Sequence, residues 1–243
     1  MTKDMVWTAW LFRIQLVLIA VMVIGLLGNK FSFLPFKLAF YGFGLSLLCI
    51  VALGVIALLG VLLSFIVGSS AWRGPGLLAL VVGLLPLVII VLVVGAKNFG
   101  VPAIHDITTD LENPPQYSAA ISARGEGSNS LARENNDLAK LQQKAYPDVK
   151  PLLSTLSSAE AYQKSLATVK TLGWEILSEN ESAGTIEAFD ETAFFGFKDD
   201  VVIRVTATPE GSRIDMRSVS RVGQSDLGAN AKRIKTFQEA FLK

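Results

Sequence analysis

Cysteine and histidine each occur once in this 243-residue chain, and only 18% of its residues are charged. With Cys49 alone, no intrachain disulfide can form, and a single histidine leaves a Cys/His zinc site without a ligand set. A formal net charge of +1 excludes both a polybasic nucleic-acid binder and an acidic disordered chain. No serine elbow or phosphate-binding loop motif is present. We therefore expect no catalytic set, no metal and no cofactor.

Apolar residues are abundant instead. They make up 51% of the chain and its mean hydropathy is +0.46, too high for an entirely soluble globule. The small net charge conceals a division. Up to Lys97 there are six basic residues against one acidic, a balance of +5. From Asn98 onward, 16 basic face 20 acidic residues, a balance of −4. The sequence predicts a membrane region over residues 1–97 and a soluble domain over 98–243.

Three spans are expected in the membrane region. The first runs from about Val6 to Leu27, with Trp7 and Trp10 suited to the lipid–water boundary. Arg13 lies one turn further, close enough to snorkel as an interfacial anchor or to meet a partner or lipid headgroup. The second, Leu38–Val67, has 30 residues without a charge, where about 20 cross a bilayer. The third, Leu77–Val94, contains Pro86, which predicts a kink. Residues Gly68–Gly76 read as a tight turn, and the recurrence of Gly42, Gly44, Ser46, Ala52, Gly54, Ala57 and Gly60 favours close helix packing. Without ionisable groups in the two inner spans, an ion or solute pathway is not expected. Three basic residues on each side leave orientation undecided by the positive-inside rule.

The soluble part predicts an α+β domain: an antiparallel sheet covered by helices on one face. Residues 101–115 have no helical period, and 116–150 read as a long polar loop with one short helix near Ala132–Lys144. Then follow a helix at Ser158–Leu172, strands at Trp174–Ser178, Thr185–Phe189, Val201–Ala207 and Ile214–Val222, and a helix at Ala231–Leu242.

A turn at Pro209–Ser212 would set Thr208 opposite Arg213, Asp200 opposite Arg221, and Arg204 opposite Arg217. Val201, Ile203, Val205, Ile214 and Met216 then share an apolar face, and the charges share the other. That polar face reads either as a salt-bridged solvent surface or as an anion site formed by Arg204, Arg217 and Arg221. Ser225, Asp226 or Asn230 would cap the last helix, with an anion at that helix start as the alternative. His105-Asp106, with Asp110 beyond, reads as a hydrogen-bonded turn or as a general base or metal ligand.

Two segments, Ile104-His-Asp-Ile-Thr-Thr-Asp-Leu-Glu-Asn-Pro-Pro115 and Asp215-Met-Arg-Ser-Val-Ser-Arg-Val-Gly-Gln-Ser-Asp-Leu-Gly-Ala-Asn230, flank Phe195-Gly-Phe-Lys-Asp-Asp200. Together they resemble the uncharacterised bacterial family catalogued as domain of unknown function 1499, over about residues 100–243. The resemblance implies an envelope anchor and a periplasmic domain, and brings no activity or site residues. The first expectation is thus a non-catalytic inner-membrane protein whose periplasmic domain binds an anionic ligand or partner. Alternatives are an accessory subunit of a membrane complex, and an envelope enzyme using His105 and Asp106. The lipid bilayer is an expected partner and nucleic acid is not.

Overall fold

The computed structural model describes residues 7–133, 136–192 and 195–243. It divides into two units: Met1–Ala96 with Ala193–Gly196, and Lys97–Thr192 with Phe197–Lys243.

The first unit holds three helices, α1 (Trp7–Lys30), α2 (Phe36–Ile66) and α3 (Arg73–Val94), each long and apolar enough to cross a membrane. At 1.5 Å per residue α2 is about 46 Å long, more than the roughly 30 Å hydrocarbon thickness. Leu, Val, Ile and Phe side chains cover the outside of all three. Small residues face inward on α2, at Ser46, Gly54, Ala57 and Gly60, whereas Gly42 and Gly44 face open space. At Gly54 and Gly83 the backbones of α2 and α3 nearly touch; a Cβ on Gly83 would lie 2.5 Å from the Gly54 Cα. Gln15 of α1 is fully buried beside this crossing and donates through Nε2 to the Ile50 carbonyl at 3.1 Å. α3 begins earlier than Leu77, because Pro75 suits the first helical turn, where its missing N–H has no helical partner to lose.

The second unit contains β1 (Asp106–Thr108), α4 (Ala119–Ala123), α5 (Asn136–Ala145), β2 (Leu152–Ser154), α6 (Ser158–Thr171), β3 (Glu175–Asn180), β4 (Thr185–Glu191), β5 (Lys198–Thr208), β6 (Gly211–Ser220) and α7 (Ala229–Phe241). The sheet is antiparallel in the order β1-β6-β5-β4-β3, and β2 joins β6 on the same edge as β1. β1 pairs with the C-terminal half of β6 and β2 with its N-terminal half. These two three-residue strands fall in stretches too short and irregular to show a period-2 pattern in sequence.

Val201, Ile203, Val205, Ile214 and Met216 lie on the buried face against α6 and α7, with Ile234, Phe237 and Phe241 of α7 filling the core. Fully burying each such side chain contributes about 1.5–3 kcal/mol. The capping residue of α6 is Ser157, one residue earlier than expected: its Oγ accepts from Glu160 N while the Glu160 carboxylate accepts from Ser157 N, a reciprocal capping box.

The opposite face of the sheet is covered as well. The segment after β1, with α4, packs over it, and Tyr117 and Ala120 bury Val202 and Val219. The expected solvent-facing charge ladder is therefore an interior layer.

Candidate functional site: the charged face of the sheet

The hairpin register determines which charges meet. The turn is shorter than expected: Pro209 and Glu210 alone connect Thr208 to its partner Gly211. A Cβ at Gly211 would strike the Ser154 carbonyl of β2, and its φ of 142° is one that L side chains rarely adopt. The pairing is thus shifted by two residues from the expected register. An even shift preserves the faces and changes the partners. Arg204 stands opposite Asp215, Arg217 opposite Val202, and Asp200 opposite Val219. Arg204 and Arg217 do not face each other, so the like-charge pair expected to require an anion is absent.

Among the described residues, four arginine–carboxylate groups occupy the unit. In the first, Arg217 grips Asp106 with two bonds, Nε to Oδ1 at 3.1 Å and Nη2 to Oδ2 at 2.9 Å, while Arg133 adds a third at 3.0 Å. Arg217 is fully buried, also donates to the Leu131 and Pro115 carbonyls, and lies over the Tyr117 ring. In the second, the fully buried Asp200 receives Arg221 at 2.7 Å and Arg124 at 2.6 Å. In the third, Arg204 and Arg213 share Asp110 and Asp215 at 2.9 to 3.1 Å. In the fourth, Arg233 bridges Asp199 and Asp190 at 2.7 and 2.9 Å.

Glu187 completes the layer. Its buried carboxylate accepts from the Ser118, Ala119 and Ala120 amides and from the Ser118 hydroxyl. Carboxylates suit the electropositive amides at a helix start, so α4 already has its anion. The Gln142 carboxamide from α5 bonds both backbone groups of Thr108, taking the place of a further strand beside β1.

Burial holds the Tyr117 phenol well above its ordinary range, opposed by Arg217 and reinforced by Asp106 and Asp200. Its hydroxyl lies 3.0 Å from both the Asp200 and Arg217 carbonyls, joining β5 to β6. Burial lowers Arg124 and Arg133, while Asp200 and Asp106 respectively oppose that shift. Hydrogen bonding to Asp215 raises Arg213.

The remaining nominated residues also have internal duties. Asn230 is fully buried: its Oδ1 accepts from Ser218 and Arg233, and its Nδ2 donates to the His105 carbonyl and Ser220 Oγ. It does not cap α7. That helix starts after Gly228, and Asp226 accepts from the Gly228 and Asn230 amides. Ser225 Oγ accepts from the Leu227 amide, closing the preceding turn. His105 Nδ1 lies 3.3 Å from the Gln224 carbonyl, while the Asp106 carboxylate is enclosed with Arg217 and Arg133. Asp110 is engaged by Arg204 and Arg213, so His105, Asp106 and Asp110 do not converge. Among the described residues, no three His, Cys, Asp or Glu side chains gather into a metal site.

A cleft of about 400 Å³ opens beside the third group, walled by residues 109–113 and 142–151 with Arg213. Arg213 spends Nε and Nη2 on Asp215 and Asp110, leaving Nη1 without an acceptor among the described residues, and its side chain is 36% exposed. Exposed Lys150 also lines the cleft. Sequence reasoning missed this cleft because its walls come from the stretch read as loop. Arg124, Arg133 and Glu187 were missed for the same reason: their partners are set by how residues 104–133 lie over the sheet.

Fold and site together define an apolar three-helix region followed by an α+β domain whose charged residues stitch a covering segment to its sheet. Residues 106–241 match the model of a family described as "Protein of unknown function (DUF1499)", and the chain belongs to that family. No curated protein matches the chain.

Proposed function

We propose that this is a non-catalytic, inner-membrane-anchored protein whose domain lies on the periplasmic side and binds an anionic ligand or partner group at the Arg213–Lys150 cleft. The observation that carries this reading is Nη1 of Arg213, which has no acceptor among the described residues and lies on the wall of that cleft. A carboxylate or phosphate there would receive a guanidinium donor, with Lys150 supplying a second cation. Arg204 acts behind the wall, holding Asp110 and Asp215 so that Arg213 stays in place. Arg217 and Arg221 serve the fold, since their acceptors are the buried Asp106 and Asp200.

The test is native purification of the full chain in mild detergent, with mass spectrometry of everything retained. A ligand or partner held by the wild type should be lost from the Arg213→Gln/Lys150→Gln variant while the protein remains folded. Equal recovery from both would overturn this site. A stoichiometric protein retained by both would favour an accessory subunit held through its helices. Sidedness is read from Ser182→Cys in a Cys49→Ser background: an impermeant thiol reagent should label the domain in intact cells once it has passed the outer membrane.

A further inference from the structure

One end of the helical unit concentrates indole and guanidinium groups. Trp7 meets Trp72 edge-on with ring centres 5.5 Å apart, and Thr8 Oγ1 donates to the Trp72 carbonyl at 3.3 Å, so the starts of α1 and α3 lie level. Arg73, the first residue of α3, donates through Nε to Ser64 Oγ at 3.3 Å and lies 4.2 Å over the Phe65 ring, near the end of α2. Arg13 is six residues beyond Trp7, about 9 Å deeper along the helix. Its guanidinium lies 5.0 Å over the Trp10 ring, nearly one turn back towards the helix start. Helical side chains incline that way, and it is the direction in which an arginine in apolar surroundings carries its charge to the headgroup region.

No carboxylate is available to either group within the described residues of this unit, because Trp7–Ala96 contains no Asp or Glu. Arg13 is exposed, and neither Nη group of Arg73 has a protein acceptor among the described residues. Phosphate is the acceptor that membranes supply at this depth. Guanidinium forks bind it with two parallel bonds, and indoles settle beside it at the interface. We propose that Arg13 and Arg73, flanked by Trp7, Trp10 and Trp72, bind the phosphates of anionic phospholipid headgroups. The site is separate from the Arg213 cleft, and its test does not depend on it.

The full-length protein is titrated in detergent with phosphatidylglycerol or phosphatidylcholine, and bound lipid is counted by native mass spectrometry. Phosphatidylglycerol should be retained preferentially. Removing each arginine should lower its affinity about fivefold, with Arg13→Gln/Arg73→Gln losing the preference. Arg13→Lys/Arg73→Lys, which keeps charge and insertion but not the fork, should recover only part of it. Equal retention of the two lipids, full lipid preference in the lysine variant, or an equal loss from Lys37→Gln at the other end of the unit would overturn the proposal. Displacement by millimolar inorganic phosphate would also overturn it, by showing a site for the free anion.

Discussion

Replacing Arg217 by Gln distinguishes a structural arginine from a ligand-binding one. The change leaves the Asp106 carboxylate, 5% exposed, with Arg133 as its remaining cation at 3.0 Å. It also takes donors from the Leu131 and Pro115 carbonyls and the cation from the Tyr117 ring. Removing one partner of a buried pair costs about 3–5 kcal/mol. Because Arg133 remains, we expect about 3 kcal/mol, a large share of the roughly 5–15 kcal/mol that stabilises native proteins. The measurement is hydrogen exchange by mass spectrometry on the full-length protein. Peptides from residues 104–133 and 211–220 should exchange on the order of 100-fold faster. Asp106→Asn should produce a similar acceleration, and the double variant should fall short of the sum by about 2 kcal/mol. If Arg217→Gln accelerates these peptides less than about threefold and shows no coupling to Asp106, the pair does not hold the segment. The Arg217 guanidinium would then be available to an external anion.

Glu187→Ala should release the three amides it caps, costing about 3 kcal/mol, with the exchange gain centred on Ser118–Ala123. Unchanged protection there would refute the capping role. Burial raises the Asp226 carboxyl, opposed by its bonds from Gly228 and Asn230. The contribution of that raised value is full below the unfolded pKa of about 3.9 and fades as pH rises through the folded one. The melting temperature of wild type minus that of Asp226→Asn should therefore fall between acid and neutral pH; a constant or rising difference would refute it.

Long periodic segments were legible in the sequence because their pattern reports burial directly. The three apolar helices, the 3.6-residue face of α7 and the alternation of β5 and β6 follow from single-residue chemistry. The face on which Arg204, Arg217 and Arg221 lie was also legible, since it depends only on parity. Their partners were not. Arg204 meets Asp215 and Arg217 meets Asp106 because the turn has two residues and β1 joins β6 across 111 positions. Neither β1 nor β2 is long enough to announce itself, and both exist because β6 offers them an edge. Asn230 looked like a cap for its position before an apolar helix; the buried Ser218, Ser220 and Arg233 side chains claim it instead.

The position of β6 near the end of the chain also sets an order of events during synthesis. The three apolar helices precede residues 104–133, which carry Asp106 and Arg124 while Arg217 and Asp200 have not yet been made. β1 and β2 acquire an edge only when residues 211–220 emerge, and Asp106 waits for Arg217 throughout. The strands β3, β4 and β5 can pair before β6 is made, whereas β1 and β2 cannot. A product cut short before Gly211 would lack β6, leaving β1 and β2 without an edge and Asp106 without Arg217, a ready substrate for quality-control proteases.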